Sequence, residues 1–183
     1  MANGPFRQMV DGAICLADQT AVIGTTETAL FPTAQYTGFG PNQLRSGQKW
    51  KLTVYGVGTT PSSSQGNITI TPRFGTSTAG TSLGASAATA LVASASNAPW
   101  LLESWLTVRN VGNAGANSNV ICYGRFTGSV ALIAASTGNV VPFGSTASVA
   151  VDLSVSSGFF IGITLGSASD SFKALDVILE SLN

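Results

Sequence analysis

The chain has 183 residues, long enough for one domain to bury a hydrophobic core of its own. Charged residues make up only 9% of it, and their zero net charge leaves no basic surface for nucleic acid. The apolar residues fall in short groups instead of the run of about 20 that a membrane-spanning helix needs, and histidine, the usual proton carrier near neutral pH, is absent. We therefore predict a non-enzymatic protein with no catalytic or metal-binding residues, no cofactor, and no membrane or nucleic-acid partner.

The start of the chain differs from the rest. Residues 1–11, which include Phe6 and Arg7, are predicted to form an extended N-terminal arm outside the core. The segment before residue 19 has one basic side chain and no long apolar stretch, so it lacks the pattern of a secretion signal. We expect the chain to be made in the cytoplasm.

Most of the remaining chain alternates apolar and polar residues, the pattern of strands with one buried and one exposed face. The predicted buried rows are, in chain order, Trp50, Leu52, Val54; Ile68, Ile70, Pro72, Phe74; Leu102, Leu106, Val108; Val120, Cys122, Phe126; Val149, Val151, Leu153, Val155; Phe159, Ile161, Ile163, Leu165; and Leu175, Val177, Leu179. With two earlier candidates, residues 13–17 and 26–31, they make about nine strands. Their spacing predicts an all-β fold of two packed sheets or a barrel, and we favour the antiparallel β-sandwich, as a single domain over residues 1–183.

Residues 76–98 form a low-complexity segment of Ser, Thr, Ala and Gly, predicted to be a long loop or an edge strand at residues 90–92. Within it, residues 80–84 match the G-x-S-x-G pattern of a hydrolase nucleophile. That motif needs a preceding strand, a following helix and a histidine. Since the sequence supplies none of them here, we expect Ser82 not to be catalytic.

The two cysteines, Cys15 and Cys122, lie in apolar, strand-like segments far apart in the chain. Cysteine is among the most buried residue types and packs as a small hydrophobe when free. Buried free thiols are therefore preferred over a disulfide between them.

Two tryptophans fall on one predicted strand with opposite parity. Trp100 and Trp105 are five positions apart, so one is expected in the core and the other on the outside. An outward Trp105 is a candidate anchor for a partner, because tryptophan is enriched at binding hot spots. Coverage of Trp105 by a neighbouring loop is the alternative.

Three segments, residues 46–56, 68–76 and 100–109, resemble the jelly-roll structural proteins of tailed bacteriophage virions. The resemblance extends over residues 31–182. It implies a jelly roll that forms a homotrimer and binds the major capsid protein on the outside of the phage head, as a decoration or cement protein. In such a virion protein, the N-terminal arm would reach a neighbouring subunit or the shell, with Phe6 and Arg7 as candidate anchors.

The composition is compatible with this role, because a trimer hides surface that a charge-poor monomer would expose. The resemblance also covers tail and collar proteins that bind receptors. A receptor-binding or carbohydrate-binding jelly roll is therefore the alternative, with Tyr36, Tyr123 and Trp105 as candidate sugar-contacting side chains.

Overall fold

The computed structural model describes residues 19–31, 38–113, 117–134 and 139–182. Within these ranges the regular structure is entirely β, which confirms the predicted fold class. The strands are β1 (Val22–Ile23), β2 (Thr28–Ala29), β3 (Gly38–Phe39), β4 (Lys49–Thr59), β5 (Asn67–Gly75), β6 (Thr81–Ser82), β7 (Thr89–Ala90), β8 (Ala98–Asn110), β9 (Ser118–Gly128), β10 (Val140–Gly144), β11 (Val149–Val151), β12 (Ser157–Leu165) and β13 (Ser171–Ser181). The described residues include no helix with the length and apolarity needed to cross a bilayer.

The strands form two antiparallel sheets, one of them curled into a half-barrel. The large sheet has the order β1-β13-β4-β8-β9-β10, and β11 also pairs with β9. The small sheet has the order β2-β12-β5-β6, with β3 on β12 and β7 on β5. The chain changes sheet after β1, β3, β4, β7, β11 and β12. The last two strands are inserted among earlier ones, because β13 lies between β1 and β4 and β12 lies between β2 and β5.

The predicted alternation is confirmed on β4, β8 and β9 of the large sheet. On β4, for example, Trp50, Leu52 and Val54 are buried, while Lys49 is exposed. An aromatic cluster occupies the inner face, where the Phe126 ring lies 5.5 Å from that of Trp100 and 6.2 Å from that of Phe172, measured between centroids. These rings come from β9, β8 and β13, so the cluster joins strands that are far apart in the chain.

Gly56 lets the cluster approach the backbone. A methyl group at this position would overlap both the Trp100 ring and the carbonyl oxygen of Lys173 on the neighbouring strand β13. The inner face at this point of β4 therefore has room for glycine alone.

Three predicted strand patterns need correction. The pairing of β13 with β4 shifts between Ala174 and Asp176, so Leu175 lies in the irregularity and is half-buried instead of belonging to the core row. Val155 is 52% exposed because β11 ends at Val151. On β12, Phe160 is fully buried along with the predicted row of opposite parity, so this strand is covered on both faces.

The low-complexity segment packs onto the edge of the small sheet. It contains β6 and β7, which both pair with β5, and its side chains Leu83 and Leu91 are buried. Ser82 is an exposed residue of β6, and its hydroxyl accepts a hydrogen bond from the amide of Gly84. No helix follows it, so the nucleophile motif lacks its structural context.

A charged side chain crosses the small sheet from strand to strand. Glu27, next to β2, receives hydrogen bonds of 2.5 and 2.6 Å from Arg73 on β5, although β12 lies between the two strands. The crossing passes over Gly162, where a methyl group would overlap the Glu27 carboxylate. Arg73 also donates to the carbonyl of Gly80, so one guanidinium joins the edge strand, the sheet and the β5–β6 turn.

Candidate functional site

The outer face of the large sheet, opposite the core, carries side chains of β13, β4, β8, β9 and β10 in three parallel rows. Each row runs across the strands, and neighbouring rows are two residues apart, or about 7 Å. We name them the apolar row, the ion row and the aromatic row. The register gives the members of each row in order from β13 to β10: the apolar row is Asp176, Tyr55, Leu101, Thr127 and Val140; the ion row is Ile178, Thr53, Glu103, Arg125 and Pro142; and the aromatic row is Glu180, Lys51, Trp105, Tyr123 and Gly144.

The apolar row is exposed to a degree unusual for large apolar side chains. Tyr55 is 49% exposed, and its neighbour Leu101 on β8 is half-buried. Ile178 on β13, directly opposite Thr53, is 38% exposed and lies diagonally next to Tyr55. These three side chains form a small apolar group that is bordered by Asp176 on β13 and by Thr127 on β9, and Val140, 41% exposed, lies beyond Thr127.

The ion row is held by one carboxylate between two cations. Glu103 accepts hydrogen bonds of 2.9 and 2.6 Å from Arg125, and its other oxygen lies 2.9 Å from the Lys51 ammonium. The Glu103 side chain is only 13% exposed. The hydrogen bond from Lys51, followed by that from Arg125, holds the pKa of Glu103 below its usual value.

The aromatic row is a continuous stack. The Trp105 and Tyr123 rings are stacked, with centroids 5.2 Å apart and planes inclined by 12°, and the Lys51 ammonium lies 5.7 Å from the Trp105 ring centroid. Lys51 approaches from β4 and Tyr123 from β9, so neighbours cover Trp105 on both sides. The row is therefore stiff before any partner binds.

A pH series would test the ion row. Because the folded-state pKa of Glu103 is lowered, its contribution to stability is present above the unfolded pKa of about 4.3 and is lost as the pH falls through the folded value. In urea denaturation from pH 7 to pH 3, we expect Glu103→Gln to be less stable than the wild type at pH 7. The difference should shrink below about pH 4.

Lys51→Met is the matched variant, since it removes the largest cause of the shift and should reduce the same pH dependence. Parallel stability curves for the wild type and Glu103→Gln over this range would contradict the assignment.

The structure places the predicted site residues in different ways. Trp100 is 2% exposed and lies in the core, and Trp105 points outward, as its parity predicted. Two side chains of its own sheet, Lys51 and Tyr123, lie against the Trp105 ring. Phe6, Arg7 and Tyr36 lie outside the described residues, and the role of Trp105 as an anchor stays a prediction.

Buried polar groups elsewhere offer little chemistry. Cys122 is a buried free thiol, and burial raises its pKa to about 12, so it stays protonated at neutral pH. Asp170 is fully buried, and one of its oxygens accepts a hydrogen bond from the Gly66 amide while the other has no partner. Burial also raises the pKa of Asp170. Cys15 lies outside the described residues.

Two shallow clefts lie elsewhere on the described part of the chain. One, of about 270 Å³, lies between β1 and β2, and the other, of about 320 Å³, lies between the β5–β6 turn and residues 152–157. Asp152 borders the second, but its carboxylate accepts bonds from the amide and hydroxyl of Ser154, which lower its pKa. Nowhere in the described parts of the chain do three His, Cys, Asp or Glu side chains group closely enough to hold a metal ion.

Comparison with protein-family models, with curated proteins and with solved structures finds no match to this chain. The resemblance to tailed-phage virion proteins therefore stays a prediction. The outer face of the large sheet remains the best-organised candidate site, because its exposed apolar group, ion pairs and aromatic stack lie side by side.

Proposed function

We propose that the chain is a non-enzymatic virion structural protein, a capsid decoration protein that trimerises and binds the major capsid protein on the outside of a tailed-phage head. The apolar row, with Ile178 beside it, is the observation that carries this proposal. Exposed apolar side chains grouped in one patch mark protein contacts. Tyrosine, here Tyr55, is enriched among the residues that dominate binding energy.

The ion row lowers the conformational entropy that is lost when this contact forms. Glu103 holds Arg125 and Lys51 in fixed positions beside the apolar row, so these long side chains lose less rotamer freedom when a partner arrives. A preorganised sheet face is suitable for a protein that functions by binding to other proteins.

Connectivity and composition also support the proposal. The insertion of β13 between β1 and β4 in one sheet, and of β12 between β2 and β5 in the other, is compatible with a jelly roll of two antiparallel sheets. A trimer that binds several neighbouring capsid subunits turns modest contacts into durable attachment. The low charge of the chain favours burial of part of its surface in such an assembly.

An aspartate introduced into the proposed contact between the subunits of the trimer should break that contact. We expect the wild type to sediment as a trimer and Ile178→Asp to sediment as smaller species, because the change places a charge in an apolar interface. Val130→Asp is the matched control, since Val130 is 68% exposed and lies in the loop after β9. A monomeric wild type, or an Ile178→Asp variant that still forms the trimer, would contradict the proposal.

The position in the virion is tested separately. Antibodies against the purified chain, used for immunogold electron microscopy of the particles that contain it, should label heads. Labelling confined to tails would reject the decoration role and support the receptor-binding alternative.

A further inference from the structure

The Tyr123 ring has one covered face and one open face. Trp105 stacks on the side facing β8, at 5.2 Å between centroids, so the opposite face of the ring is directed toward β10. Tyr123 is 54% exposed, and the next most exposed aromatic side chain among the described residues is Tyr55, at 49%. The open ring face is therefore accessible to solvent and held in a fixed orientation.

The position next to this face in the row is a glycine. Tyr123 pairs with Gly144 on β10, which has a φ of 137° and where a methyl group would overlap the backbone of Cys122 and Tyr123. No side chain at this paired position can cover the ring. The open face of Tyr123 thus has a notch beside it whose floor is backbone.

A charged side chain held by an ion pair lies on the same face of β9 as Tyr123. Arg125, two residues along β9 on the same face, binds Glu103 through Nε and Nη2, which directs the Nη1 donors away from that ion pair. The Arg125 side chain is 57% exposed. An aromatic face and oriented hydrogen-bond donors are thus presented together.

From this arrangement we infer that the notch at Tyr123 binds a pyranose sugar of a glycan, an activity beyond the proposed capsid adhesion. One side of a pyranose ring carries C–H groups that pack on the electron-rich face of an aromatic ring. Its rim carries hydroxyls that accept bonds from a guanidinium. Both requirements are met within two residues of β9.

A sugar fits this position better than an apolar protein surface does. Arg125 is the exposed charge nearest to the open ring face, and covering it with apolar groups would remove water from its guanidinium without replacing the lost hydrogen bonds. Sugar hydroxyls replace those bonds. The exposed guanidinium therefore selects a polar ligand with one apolar side.

A glycan array probed with the labelled full-length protein, followed by titration with the best oligosaccharide, tests the inference. We expect binding to at least one pyranose-containing glycan, a loss of about tenfold or more in Tyr123→Ala, and retention in Tyr123→Phe, which keeps the ring. Sedimentation and thermal melting of each variant establish that assembly and fold are intact.

Two results would overturn it. One is the absence of binding across an array of neutral and acidic glycans. The other is a Tyr123→Ala variant, folded and assembled as the wild type, that binds the same glycan equally well.

Discussion

Replacing Phe126 by alanine is expected to lower the free energy of unfolding by about 3–5 kcal/mol. Phe126 has no exposed surface, and its ring packs against those of Trp100 and Phe172, which also contact each other. Because these neighbours belong to different strands of one hydrogen-bonded sheet, they cannot close the cavity without disturbing the pairing of β8 with β9. Chemical denaturation followed by tryptophan fluorescence would measure the loss.

Val130→Ala is the control for this variant, since it shortens a side chain that is 68% exposed and lies outside the proposed contact. Its effect on the free energy of unfolding should be below about 1 kcal/mol. Equal losses in the two variants would mean that the aromatic cluster is not packed as described.

Gly56→Ala should destabilise the fold by about 3 kcal/mol, although it adds a single methyl group. The methyl group would overlap the Lys173 carbonyl oxygen and the Trp100 ring. To relieve this overlap, β4 and β13 must separate or Trp100 must leave its rotamer. Either change disrupts the inner face of the large sheet. Chemical denaturation would give the loss, and the emission wavelength of tryptophan would report a displaced ring.

Gly40→Ala is the matched control, because a methyl group there meets the flexible Gln43 side chain first, at 2.9 Å. That side chain can turn away, so we expect a loss below about 1 kcal/mol. A Gly56→Ala variant as stable as Gly40→Ala would contradict the close approach of Trp100 to β4.

Alternation was sufficient to predict the inner rows of the long strands, because a side chain's parity on a strand decides its face. It failed at Leu175, where an irregularity in the pairing of β13 resets the parity, and at Phe160, whose outward side is also covered. Both exceptions depend on backbone geometry and on packing between elements, and the alternation of residue types in the sequence does not show either.

The candidate site was predictable in part for the same reason. The parity of Trp105 placed it outside, but its neighbours Lys51 and Tyr123 come from strands that are distant in sequence, and only the register of β4, β8 and β9 brings them together. The ion row was not predicted, because its members also lie on strands that are distant in sequence. Opposite charges on the outer positions of Lys51, Glu103 and Arg125 were its one visible signal.

The link from Glu27 to Arg73 over Gly162 has a consequence for misassembly. The edge strand β2 has two residues, and its short ladder alone would hold it weakly against β12. If it peeled away, β12 would present free amides and carbonyls along a run of Phe and Ile, a template on which another chain could add a strand and begin a fibril. By fastening the segment beside β2 to β5, one carboxylate keeps that template closed.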